Sequence, residues 1–139
     1  AYDSALFGTE ERRRILMGSY FNSALDAKGH YEAACKIRLR IRDELQAALQ
    51  NYDCIITPTT CNTAFRYDAM PEDGAEMYKN DMLLAAASIS GLPAVSLPCG
   101  KIHGLPASMQ IIGKNYEDSK ILHIAQAYET ATAGEYICS

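Results

Sequence analysis

The sequence predicts an α/β fold: a small mixed β-sheet of about three core strands flanked by helices. Three observations carry that reading. Short runs of β-favouring apolar residues at 54–58, 94–98 and 108–112 are bounded by proline or glycine. Apolar residues at three- and four-residue steps fill the stretches around them. A helical stretch separates the first run from the second, as a crossover connection requires.

Residues 9–50 read as helix. Thr9 is positioned to cap it, with Glu10 and Glu11 in a first turn where the helix dipole favours anions. Gly29 marks a bend or boundary. Beyond it Ala34, Ile37, Ile41, Leu45, Ala48 and Leu49 form one apolar face, and Asn51 ends the helix. Cys54-Ile55-Ile56-Thr57-Pro58 reads as a short core strand closed by proline. Segment 58–76 has no period and reads as a long loop. Residues 77–90 read as a helix stopped by Gly91 and Leu92-Pro93. The second strand spans 94–98, a turn covers 100–106, and the third strand spans 108–112 as its hairpin partner. Asn115 or Asp118 opens a last helix whose apolar side holds Ile121, Leu122, Ile124, Ala125 and Tyr128; the tail after Ala131 frays. Strands this apolar call for cover on both faces, which the helices supply.

The chain has 139 residues, 48% hydrophobic and 22% charged, which suits one domain with a core of its own. Its formal charge of −4 argues against a module that coats nucleic acid. No apolar run approaches the roughly 18 residues of a membrane span, so no membrane partner is expected. The opening AYDSALFGTE has neither a basic nor an apolar leader region and no initiator Met. The chain is therefore expected to be processed or a piece of something longer. Five scattered cysteines, with no C-x-x-C, match neither a disulfide framework nor a zinc site and suit a reducing cytoplasm.

Familiar catalytic signatures are missing. There is no G-x-S-x-G elbow and no G-x-G-x-x-G. Gly113-Lys114 imitates the end of a phosphate loop, but Ser108 stands where its first glycine belongs and Asn115 where a magnesium-binding hydroxyl belongs. His30, His103 and His123 are too dispersed to hold a metal. The arginines at 12–14, and Lys36, Arg38, Arg40 and Arg42, read as solvated helix faces with carboxylate partners.

Four segments change the reading. They are Arg13-Arg14-Ile15-Leu16-Met17-Gly18-Ser19-Tyr20, Tyr52-Asp53-Cys54-Ile55-Ile56-Thr57-Pro58-Thr59, Met77-Tyr78-Lys79-Asn80-Asp81, and the run from Ser90 through Gly100 that continues to Gly113. Together they resemble the C-terminal portion of the amidase-signature fold, from about residue 10 to 130. The first and third segments are most similar to the A subunits of glutamyl-tRNA(Gln) amidotransferases. On that resemblance, residues 1–139 form a single partial domain.

The resemblance implies an enzyme that frees ammonia from glutamine and passes it to an activated glutamate on tRNA. Its serine nucleophile, second serine and lysine belong to a preceding Gly- and Ser-rich half. No catalytic residue carries over, and the isolated chain is expected to be inactive. Two substrate-binding positions do carry over: Arg14 for the α-carboxylate of glutamine and Asp81 for its α-amino group. The chemistry is sound, because one guanidinium grips a carboxylate through two hydrogen bonds and one carboxylate holds an ammonium. Tyr78, Pro58 and Thr59 are expected to line the same pocket. Apart from the resemblance, Arg14 reads as a surface residue and Asp81 as a helix cap. The resemblance places no cofactor and no metal on this chain, and puts ATP and Mg on another subunit. It implies a heterotrimer in which tRNA is handled by a partner. Apolar faces and sheet edges left by a partial domain predict self-association of the isolated chain. Two alternatives stand beside this reading: part of another small-amide amidase, or a stand-alone binding or structural module.

Overall fold

A computed structural model describes residues 7–23, 27–66 and 74–132. The middle of the loop expected over 58–76, Cys138 and most of the tail after Ala131 lie outside them. The chain divides into two compact units, Ala1–Arg40 and Ile41–Ser139.

In the first unit, α1 (Thr9–Phe21) starts one residue earlier than a Thr9 cap would place it. Gly8, not Thr9, stands at the cap position, in extended conformation, with no side-chain cap hydrogen bond. Its carbonyl accepts from the Arg12 N–H at 3.2 Å, so the backbone opens the ladder unaided. Glu10 and Glu11 occupy the first turn as expected. A π-helical turn (Ala27–Tyr31) contains Gly29 and runs into α2 (Glu32–Leu49). The boundary expected at Gly29 is thus a change of helix type.

The second unit begins with the last turns of α2 and contains β1 (Ile55–Pro58), α3 (Gly74–Ser90), β2 (Ala94–Ile102), β3 (Leu105–Ile112) and α4 (Asp118–Ala131). The sheet order is β1-β3-β2, and both pairings are antiparallel. The α/β class with three core strands holds, but parallel pairing within the sheet does not. A crossover through α3 does set β1 and β2 in the same direction, and β3 then inserts between them. The hairpin is longer than its sequence suggests. The broad turn expected over 100–106 shrinks to His103 and Gly104, both at positive φ (52° and 81°). Two such residues match the twist of a tight hairpin. Gly100 marks a register shift within β2 and leaves the ladder intact on either side.

A small core cluster packs on each face of the sheet, against different helices. On one face Ile112 meets Leu49 of α2, Ala87 of α3 and Leu92. On the other, Leu97 and Ile111 pack against Ile121 and Ala125 of α4. Alternation along β3 sends neighbouring residues to opposite faces, so Ile111 and Ile112 serve different clusters. Leu92 follows Gly91, whose φ of 71° reverses the chain after α3. The N–H groups of Gly91 and Leu92 both donate to the Ala87 carbonyl, closing the helix end as expected.

Candidate functional site

A polar row crosses the apolar sheet. Thr57, Gln110 and Ser96 are in register across β1, β3 and β2. Gln110 is 3% exposed, yet its amide is satisfied. Its Nε2 donates to Thr57 Oγ1 and to the Leu83 carbonyl of α3, each at 3.3 Å. Thr59, itself buried, shares a 2.8 Å hydroxyl–hydroxyl bond with Ser96. A buried polar group needs such partners, since an orphaned one costs about 1–3 kcal/mol.

Beyond β1 the chain turns beside a cavity of about 410 Å³. Pro58, Thr60, Cys61, Asn62, Cys99 and Met109 are among its lining residues. Two side chains of its wall reach α3. The Cys61 thiol donates to the Lys79 carbonyl at 3.4 Å, and Asn62 Nδ2 donates to Asn80 Oδ1 at 3.0 Å. The helix turn that receives these bonds carries Asp81.

Asp81 is exposed and lies well inside α3, so it is not an N-cap. The inward side of α3 is the line Asn80, Leu83, Ala87 and Ser90, and Asp81 stands off it. Tyr78, three residues earlier and exposed, shares the face of Asp81. Pro58 lines the cavity, whereas Thr59 belongs to the buried row beneath. Arg14 lies in the first unit, exposed on α1, with its Nε donating to Glu10 Oε1 at 2.9 Å. The fold thus gathers Pro58, Tyr78 and Asp81 in one unit with the cavity and places Arg14 in the other. Asn62 and Gln110 were not singled out by the sequence. Asn62 lies in an aperiodic loop, and the one signal for Gln110 is an amide among apolar strand residues.

A second cavity, of about 500 Å³, lies between the end of α2 and the turn before α4, lined by Gln46, Leu49, Gln50, Lys114, Asn115 and Glu117. It contains none of the residues predicted to bind substrate. Among the described residues no group of His, Cys, Asp and Glu could hold a metal ion. Cys35, Cys54, Cys61 and Cys99 are free thiols. No described helix is long and apolar enough to cross a membrane.

Comparison with known proteins agrees with these motifs. The chain is 41% identical over 126 residues to the A subunit of glutamyl-tRNA(Gln) amidotransferase from Symbiobacterium thermophilum, covering 91% of this chain and 26% of that protein. It is 39% identical to the corresponding protein of Geobacillus thermodenitrificans over the same shares. The chain therefore spans about a quarter of the length of the curated relatives it matches. The crystal structure of the same amidotransferase's A subunit from Thermotoga maritima superposes with a TM-score of 0.72 at 38% identity, covering 89% of this chain and 28% of that one. A crystal structure of an amidase, 24% identical, shares the fold with a TM-score of 0.65 over 90% of this chain and 29% of its own. Residues 2–122 match the Amidase family model, and the chain belongs to the amidase family.

Proposed function

We propose that the chain is the C-terminal part of the A subunit of a glutamine-dependent amidotransferase and supplies recognition of glutamine. The observation that carries this reading is Asp81, exposed on α3, in a helix turn hydrogen-bonded to the cavity wall. The likeness to the A subunits of glutamyl-tRNA(Gln) amidotransferases at about 40% identity supports it. Asp81 holds the α-ammonium, and Arg14 grips the α-carboxylate through its two-pronged guanidinium. The side-chain amide is then free to meet a nucleophile. Glutamine and water give glutamate and ammonia, and the ammonia displaces the activating group from an ATP-activated glutamate on misacylated tRNA, giving glutamine. The serine and lysine chemistry belongs to the rest of the polypeptide. ATP, Mg and tRNA are handled by the other members of a cytoplasmic heterotrimer. The isolated chain is inactive and self-associates.

The test uses a complete amidotransferase in which this chain supplies the C-terminal quarter of its own polypeptide, assembled with its partners. Truncating a desolvated charge pair costs about 2–5 kcal/mol. Arg14→Ala and Asp81→Asn should each lower the ratio of glutamine-driven to ammonia-driven transamidation by more than tenfold. Equal loss with both ammonia sources would overturn the assignment.

A further inference from the structure

Asp81 sits on an exposed helix face, where an ordinary carboxylate is free to move. Recognition of an ammonium demands the reverse, because a group that must first be ordered on binding costs affinity. The structure supplies anchors within two residues on either side. On the N-terminal side of Asp81, the Lys79 carbonyl accepts from the Cys61 thiol and the Asn80 side chain accepts from Asn62. On its C-terminal side, the Leu83 carbonyl accepts from the buried Gln110 amide. These anchors come from different parts of the fold: the loop after β1 and the middle of β3. Gln110 is also tied to β1 through Thr57, so helix, loop and sheet are joined at one helical turn.

We infer that Asn62 and Gln110 are positioning residues that clamp the 79–83 turn of α3 and thereby hold Asp81 where it meets the ammonium of the amino-acid substrate. The inference rests on the proposed role of Asp81. Asn62 also lines the 410 Å³ cavity, so the clamp couples the cavity wall to the recognition helix. Neither residue touches the substrate in this scheme; each acts through the backbone or side chain beside Asp81.

The bond between Asn62 and Asn80 is exposed enough to remove without threatening the core, which makes it the primary test. Asn62→Ala, Asn80→Ala and the double variant are compared in the complete assembled enzyme. Each single change should raise the glutamine KM about three- to tenfold, the range of one lost hydrogen bond, with kcat moving less than twofold. The double variant should be no worse than the poorer single, because the two act through one bond. Gln110→Met, which keeps volume and removes the amide, should raise KM in the same sense. In the 139-residue chain itself, amide hydrogen exchange over residues 79–85 should quicken in Asn62→Ala while β3 stays protected. Normal KM and normal exchange in these variants, with Asp81→Asn still raising KM, would overturn the clamp and leave the role of Asp81 standing. An unchanged KM in Asp81→Asn would remove that role and the clamp's purpose with it.

Discussion

At the scale of single residues, Gly113 and Ile111 show how little slack the second unit has. Gly113 is buried after β3, and a Cβ there would overlap the Ile121 side chain of α4. Its N–H donates to the Pro93 carbonyl at 2.9 Å, so the backbone cannot back away without breaking that bond. Gly113→Ala is expected to destabilise by about 1–3 kcal/mol, the usual range for overpacking; urea unfolding measures it. Ile111 is 0% exposed, and Ile111→Ala should cost about 2–5 kcal/mol, whereas Ile56→Ala, at 57% exposure, should cost far less. The two are paired across β1 and β3 on one face, so similar losses at both positions would contradict the burial of the central strand and the exposure of its edge neighbour. A surface pair adds a pH signature. Lys120 Nζ donates to Asp53 Oδ1 at 2.8 Å. That hydrogen bond, and then the ammonium charge, hold the Asp53 carboxyl below its ordinary value; the same bond raises Lys120. A lowered carboxylate stabilises above its unfolded value of about 3.9 and loses that contribution as pH falls through the lowered one. A raised ammonium stabilises below about 10.4 and loses it as pH rises through the raised one. The pair is thus complete in between. Asp53→Asn should have a small effect at pH 7, as exposed bridges do, and the gap from the parent should shrink towards pH 3. A gap of constant size would count against the bridge.

At the scale of elements, periodicity located the helices but overstated how much of each is buried. The apolar stripe on α2 runs from Ala34 to Leu49 in sequence. Only its end is used: Ile37 is 60% exposed and Leu49 is 1% exposed. A stripe reports what a helix can bury, and a neighbour decides what it does bury. The hairpin errs in the other direction. Glycines and a proline between 100 and 106 read as a wide turn, yet a register shift at Gly100 absorbs one irregularity and β2 and β3 continue to a two-residue turn. At φ 81°, Gly104 holds a conformation that costs a side chain about 1–2 kcal/mol. Gly104→Val should lower stability by about that amount, measured by thermal unfolding. Gly100 and the bulge would be untouched. The stop after α3 was fully legible, because Gly91 and Pro93 act through their own backbone chemistry.

At the scale of the whole molecule, each unit leaves apolar surface uncovered. In the first, Ile15, Leu16, Met17 and Tyr20 of α1 are all exposed. In the second, β1 and β2 are edge strands with no further strand paired among the described residues, and Ile56, Ile102 and Leu105 are exposed. Unpaired edges and apolar patches of this kind promote association. Light scattering on the 139-residue chain should give a mass above the monomer, rising with concentration; a monomer at all concentrations would contradict this. Residue order was enough to establish the helices, the three strands, the chain reversals and the family, because each depends on local spacing or on motifs of a few residues. Folding in three dimensions decided that β3 lies between β1 and β2, that Gln110 is buried with its amide satisfied, and that Asn62 reaches α3 beside Asp81. The side-chain bonds of Asn62 and Gln110 join residues 18 to 53 positions apart. A hydrogen bond over such a separation leaves no periodic trace in the sequence. It exists once the chain has closed the loop and packed both partners against the same helix.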